Sequence, residues 1–225
     1  MMNPAIALLH PVARIDWVRW TVHPSTVIGL GILAALYVWA ATRLKTRPKL
    51  YQQICFLAGL FATFGSLNGP IHDLSDNFLF SAHMVQHLLI TLLVPPLLLL
   101  GTPGWMIRPV LSWKPVAKVA QFLTRPTITF VTFNVVVAVW HLPPMYNATL
   151  NEHGVHIGEH LMFMAAAVLM WWPFLSPLPE LPRLSYPGQM LYCFLMIIPM
   201  SIVAVYITMA DSILYPAYSA APRLW

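Results

Sequence analysis

The sequence has 225 residues, 59% of them hydrophobic and only 8% charged, with a mean hydropathy of +0.70 and a formal net charge of +5. A soluble domain carries about 25% charged residues, so twelve basic and seven acidic side chains cannot coat a water-facing globule of this length. An ordinary soluble enzyme, a disordered tail and a nucleic-acid binder are excluded, which leaves an all-α, polytopic bundle of transmembrane helices in a lipid bilayer.

A hydrocarbon core of ~30 Å calls for about 20 mostly apolar residues per helix. Six runs without Lys, Arg or Asp qualify as predicted spans of one integral membrane domain: 27–42, 54–69, 78–100, 127–140, 156–175 and 189–208. The opening MMNPAIALLH lacks the basic region and the long apolar stretch of a cleavable signal, so the first run is read as a true span.

The first connection, RLKTRPK, holds Arg43, Lys45, Arg47 and Lys49. The second, 70–77, holds Asp73 and Asp76 and no Lys or Arg. The third holds Arg108, Lys114, Lys118 and Arg125, the last three with Gln121 at the spacing of an amphipathic helix on the inner membrane surface. The fourth, 141–155, carries Glu152 and no basic residue, and the fifth carries Arg183. Odd-numbered connections are therefore cytoplasmic and both chain ends, the N-terminus included, extracytoplasmic. Arg14 and Arg19 flank Asp16 and are outweighed by the first loop. Pro95-Pro96 and Pro199 fall inside predicted spans and free carbonyls that neighbouring helices must satisfy, which implies a packed bundle. Cys55 and Cys193 are too few and too far apart for a disulfide framework and read as packing residues.

All nine histidines fall on the predicted outer side: His10, His23, His72, His83, His87, His141, His153, His156 and His160. One histidine near a headgroup region is ordinarily an interface residue; nine on one side point to a site. HMVQH sets His83 and His87 at i, i+4, and HIGEH does the same for His156 and His160. Residues so spaced share a helix face, with Cβ atoms about 5–6 Å apart, and can bind one metal. Two such helices face to face would make a four-imidazole cluster, suited to copper, zinc or iron. The zinc-protease HExxH order is absent, because Glu159 directly precedes the second histidine of its pair. Glu159, Asp73, Asp76 and Asp211 are acids on the same side, and an acid of this kind can hold a ligand's tautomer. Glu159, Asp73 and His72 are the candidates for that supporting role or for additional ligands. Met84 is the candidate thioether ligand for Cu(I), as Met145, Met162 and Met200 could also be, although core filling is the ordinary role of methionine.

At HMVQHLLITLLVPPLLLLGTPGW (His83–Trp105) the sequence resembles the CtaG-type cytochrome c oxidase assembly factors, polytopic proteins of the bacterial inner membrane. WHLPPMYNATL (Trp140–Leu150), HIGEHLMFMAAAVLMWWPFLSP (His156–Pro177) and LSYPGQMLYCFLMIIPMSIVAVYITMADSILYPAY (Leu184–Tyr218) extend the resemblance over most of Gly69–Trp225. The resemblance implies maturation of a haem–copper oxidase, with that enzyme's subunits as partners, copper as cargo and no catalytic turnover. It makes His83, His87, His141, His156 and His160 the copper-handling residues, with His10, His72 and His153 outside the family pattern. It also implies a seventh span beyond the LYPAY segment, where this sequence ends at Trp225. A haem-binding electron-transfer subunit and a copper permease are the alternatives. Both are disfavoured because no histidine or acid lies in the inner halves of the spans.

Overall fold

The computed structural model describes residues 20–44, 46–219 and 221, and every regular element among them is helical. In chain order these are α1 (Pro24–Arg43), α2 (Leu50–Leu67), α3 (Gly69–Asn77) and α4 (Phe80–Leu88). A π-helical turn at Leu89–Leu93 joins α4 to α5 (Val94–Gly101). Then come α6 (Gly104–Leu111), α7 (Lys114–Leu123), α8 (Pro126–Trp140), α9 (Pro143–Asn151), α10 (His153–Leu175), α11 (Tyr186–Thr208) and α12 (Pro216–Ser219). Proline stands in the first turn of α1, α7, α8, α9 and α11, where a missing N–H costs nothing.

Among the described residues, five helical stretches are long and apolar enough to cross a membrane: α1, α2, the continuous Phe80–Gly101, α10 and α11. The predicted fourth span differs. Its helix, α8, has 15 residues, about 22 Å at 1.5 Å per residue, short of a ~30 Å core. It makes a sixth span only together with α7, from which it bends by 71°. The bend lies at Arg125-Pro126, where the residue before proline is held in an extended conformation. α7 occupies the segment predicted to be amphipathic and has no buried residue.

The π turn sits where Pro95 cannot donate to the Thr91 carbonyl in the α-helical register. The Trp171 indole N–H of α10 donates to that carbonyl at 2.9 Å, and the Thr91 hydroxyl donates to the His87 carbonyl at 2.6 Å. The wide turn is thus fastened to α10 directly below His87. α5 lies against α2 so closely that a Cβ on Gly101 would stand 2.5 Å from the Phe56 nitrogen. Phe133, Trp140, Phe163, Met170, Tyr192 and Met196 form the main core between α8, α10 and α11. On the outward faces of α1 and α11, Ile28, Val38, Phe194 and Ile202 are all about 60% or more exposed (61, 60, 63 and 64%). Each such side chain costs roughly 1.5–3 kcal/mol against water, a penalty that hydrocarbon removes.

The segment 70–77, predicted to be a connection, is the helix α3, and it is buried. His72, Asp73, Ser75, Asp76 and Asn77 are each at most 8% exposed. A segment of such low hydropathy reads as a loop because its helix packs polar groups against one another. The fourth predicted connection likewise contains a helix, α9.

Candidate metal centre

α3, α4, α9 and α10 converge on a buried polar centre. His83 and His87, four residues apart, occupy one inward face of α4 with ring centroids 4.2 Å apart. Glu159 of α10 reaches both: its Oε1 lies 4.0 Å from His83 Nε2 and 3.8 Å from His87 Nε2. His83 and Glu159 are 0% exposed. All six polar atoms of these three side chains lack a hydrogen-bond partner among the described residues. The Thr149 hydroxyl beside Glu159 gives its proton to the Tyr146 carbonyl instead, at 2.7 Å. Buried polar atoms are nearly always paired, so six unpaired ones in one place mark this cluster as the candidate site for an ion or ordered water. One donor atom from each residue falls within 4.8 Å of the others. Two ligands of a common ion at about 2.0–2.1 Å stand up to ~4.2 Å apart, so the trio is close to a coordinating arrangement and leaves further positions open.

A second trio lies beside it. His72 Nε2 of α3 is 3.3 Å from Asp76 Oδ2, and His156 Nε2 of α10 is 3.5 Å from the same oxygen. This trio also satisfies the spacing of a metal group. Its chemistry differs through Gln86, whose amide nitrogen donates to the Ser66 carbonyl at 2.8 Å and stands 2.9 Å from His72 Nδ1. An amide nitrogen only donates, so His72 Nδ1 accepts and Nε2 carries the proton towards Asp76. The Ser66 carbonyl can only accept, which fixes the amide's orientation and leaves the Gln86 oxygen 2.9 Å from the Ser75 hydroxyl. The single four-imidazole cluster expected from the two i, i+4 pairs is therefore two histidine–carboxylate trios. Glu159, expected in a supporting role or as an additional ligand, faces the His83–His87 pair directly.

The model of the cytochrome c oxidase caa3 assembly factor (Caa3_CtaG) family matches residues 35–225. The chain belongs to that family. It is 26% identical over 205 residues to uncharacterized protein Mb0105 of Mycobacterium bovis and, equally, to MT0111 of Mycobacterium tuberculosis, covering 83% of this chain and 30% of each relative. Uncharacterized protein ML1998 of Mycobacterium leprae is 22% identical over 177 residues, 72% of this chain and 26% of that protein. The chain thus spans less than a third of the length of these curated relatives. No solved structure matches it.

In this caa3 assembly factor family member, His160 of α10 lies between the trios, its ring 4.5 Å from His156, 6.0 Å from His87 and 6.2 Å from His72. His141 caps α8 with its ring 5.9 Å from His87. Its Nδ1 gives its proton to the Val137 carbonyl at 2.7 Å, leaving Nε2 as the lone-pair nitrogen. Burial holds this imidazole below its usual range, with the Val137 hydrogen bond acting the other way. Asp73 accepts from the Thr21 hydroxyl at 2.9 Å and belongs to neither trio. Met84, one residue round the helix from His83, is half-buried and likewise in neither trio. His10 lies outside the described residues.

Gln86 is a site residue that sequence reasoning passes over, and Asp76 is one of the outer-side acids but not among the candidate ligands. Asp76 stands at i+4 from His72 and Gln86 directly before His87, so both spacings were present in the text. The LYPAY segment is the other addition. Tyr215 donates to the His141 carbonyl at 2.7 Å, and Tyr218 donates to the Ser75 carbonyl at 2.8 Å while accepting from Tyr146 at 2.6 Å. With Phe80 these rings close the centre on the side of His83, whose ring is 5.0 Å from that of Tyr146.

Proposed function

We propose that this chain serves the maturation of a haem–copper cytochrome c oxidase in the bacterial cell membrane. It holds copper between α4 and α10 and hands the ion to an oxidase subunit, with no catalytic turnover. Family membership supports the oxidase as the beneficiary. The observation that carries the metal is the set of six unpaired buried atoms on His83, His87 and Glu159. Imidazole and carboxylate donors suit copper or zinc, and three protein donors leave room for the exchange that a delivery protein needs. The basic residues of the connections after α1 and α5 lie at the ends of the spans away from the histidines, which supports an outward-facing centre and an extracytoplasmic N-terminus.

The test is the double variant His83→Ala/His87→Ala in cells and in purified form. The expected result is a protein that stays in the membrane, retains no copper on purification, and leaves the oxidase without its copper. Normal oxidase copper and activity in cells carrying that variant would overturn the reading.

A further inference from the structure

All eight described histidines lie in one unbroken series of ring contacts. It begins at the exposed His153, at the start of α10, and runs 6.2 Å to His23, 4.5 Å to His72 and 5.4 Å to His156. From there it runs 4.5 Å to His160, 6.0 Å to His87 and 4.2 Å to His83, with His141 branching from His87 at 5.9 Å. Only His153 is open to the surface; His23 is already 7% exposed and His83 is 0%.

Helix periodicity does not force this arrangement, because the residues come from α3, α4, α8, α10 and the segment before α1. That last segment is deliberately fastened. The His23 backbone N–H donates to Asn68 Oδ1 at 2.7 Å, the Gly69 N–H to the Thr21 carbonyl at 3.0 Å, and the Thr21 hydroxyl to Asp73 at 2.9 Å. The Trp20 ring covers Gly69, whose φ of +66° and lack of a Cβ permit the contact. His23 is thereby held over α3, between the surface histidine and His72.

We infer that His153 and His23 form the port through which the metal cargo enters and leaves the buried donors, and that the protein exchanging metal with this chain presents its ligands at that end of the bundle. The inference rests on the copper reading above. Movement along the series is ligand exchange: an incoming imidazole nitrogen binds before the outgoing one lets go. Two nitrogens sharing an ion stand up to ~4.2 Å apart, within reach of rings separated by 4.2–6.2 Å after side-chain rotation. His72 joins when Gln86 releases its Nδ1, which then takes the ion while Nε2 keeps its proton against Asp76, the usual carboxylate support of a metal-bound histidine. The ion keeps its charge, nothing is oxidised or reduced, and no proton leaves the chain.

The experiment uses the full chain in detergent, loaded with copper(II) chloride, and follows loss of copper to added EDTA. The port variant His23→Ala/His153→Ala is expected to take up copper at the buried donors but to release it about tenfold more slowly than the wild type. Unchanged release kinetics would overturn the port, as would loss of bound copper at equilibrium, which would make these residues ligands of the storage site. A wild type that binds no copper defeats the copper reading itself, a separate outcome. If the double variant does not fold, His153→Ala alone, at an exposed position, is judged by the same kinetic criterion.

Discussion

His87 Nε2 and Glu159 Oε1 face each other at 3.8 Å, and neither atom has a hydrogen bond among the described residues. A buried carboxyl group without donors is costly, and an apolar side chain of similar size at that place removes the cost. Glu159→Leu is therefore expected to raise the thermal midpoint of the metal-free protein while abolishing copper retention. Glu159→Gln should weaken retention with little change in the midpoint. A lowered midpoint in Glu159→Leu would mean that the carboxylate is a structural group.

A coupled pair tests the π turn. Trp171→Phe removes the only N–H of that side chain, leaving the Thr91 carbonyl without its 2.9 Å donor. An orphaned buried acceptor costs about 1–3 kcal/mol. Pro95→Ala restores a backbone N–H that can serve the same carbonyl. The two changes together should cost less than the sum of the separate losses, read from thermal melting as a double-mutant cycle. Strict additivity would show that Trp171 and Pro95 do not share this carbonyl.

The i, i+4 histidine pairs were legible because one helical repeat fixes which side chains share a face. What crosses between helices was not. Glu159 adjoins His160 in the chain, yet a single step turns about 100° around the axis. So His156 meets His72 of α3 while Glu159 meets His83 and His87 of α4, with His160 between the two. α3 escaped for a different reason. Its buried positions include His72, Asp73, Ser75, Asp76 and Asn77, so hydropathy registers a loop where polar groups bury one another. The spans themselves were readable from apolar length. The bounds of α8 follow the predicted run, but an uncharged run does not report the 71° bend at Pro126 that joins it to α7.

The α2–α5 contact separates two glycines. At Gly101 an added Cβ meets Phe56 backbone at 2.5–2.7 Å, whereas at Gly59 it meets the Leu98 side chain at 2.8 Å. Backbone cannot rotate away and a leucine terminus can. Gly101→Ala should cost about 1–3 kcal/mol of stability by overpacking, and Gly59→Ala distinctly less. Equal melting temperatures for the two variants would mean that the helices part freely at this crossing.

The alkaline limb of stability should report the aromatic cover. Burial, and then the neighbouring Tyr206, push the Tyr215 phenol up to about 12. Burial likewise raises Tyr146 and Tyr218, with the Tyr146 hydrogen bond opposing the rise at Tyr218. An unfolded tyrosine loses its proton near 10. Between about 10 and about 12 the folded chain therefore binds more protons at Tyr215 than the unfolded chain, and stability falls as pH rises through that window. Below about 10 both states are protonated and the contribution is complete. Thermal midpoints measured at stepped alkaline pH should decline across this window in the wild type. Tyr215→Phe should start lower at neutral pH, having lost the 2.7 Å hydrogen bond to His141 that closes the centre. Its decline should be shallower, since one of the titrating phenols is gone. A decline as steep as the wild type's would place the alkaline sensitivity elsewhere and remove Tyr215 from the cover.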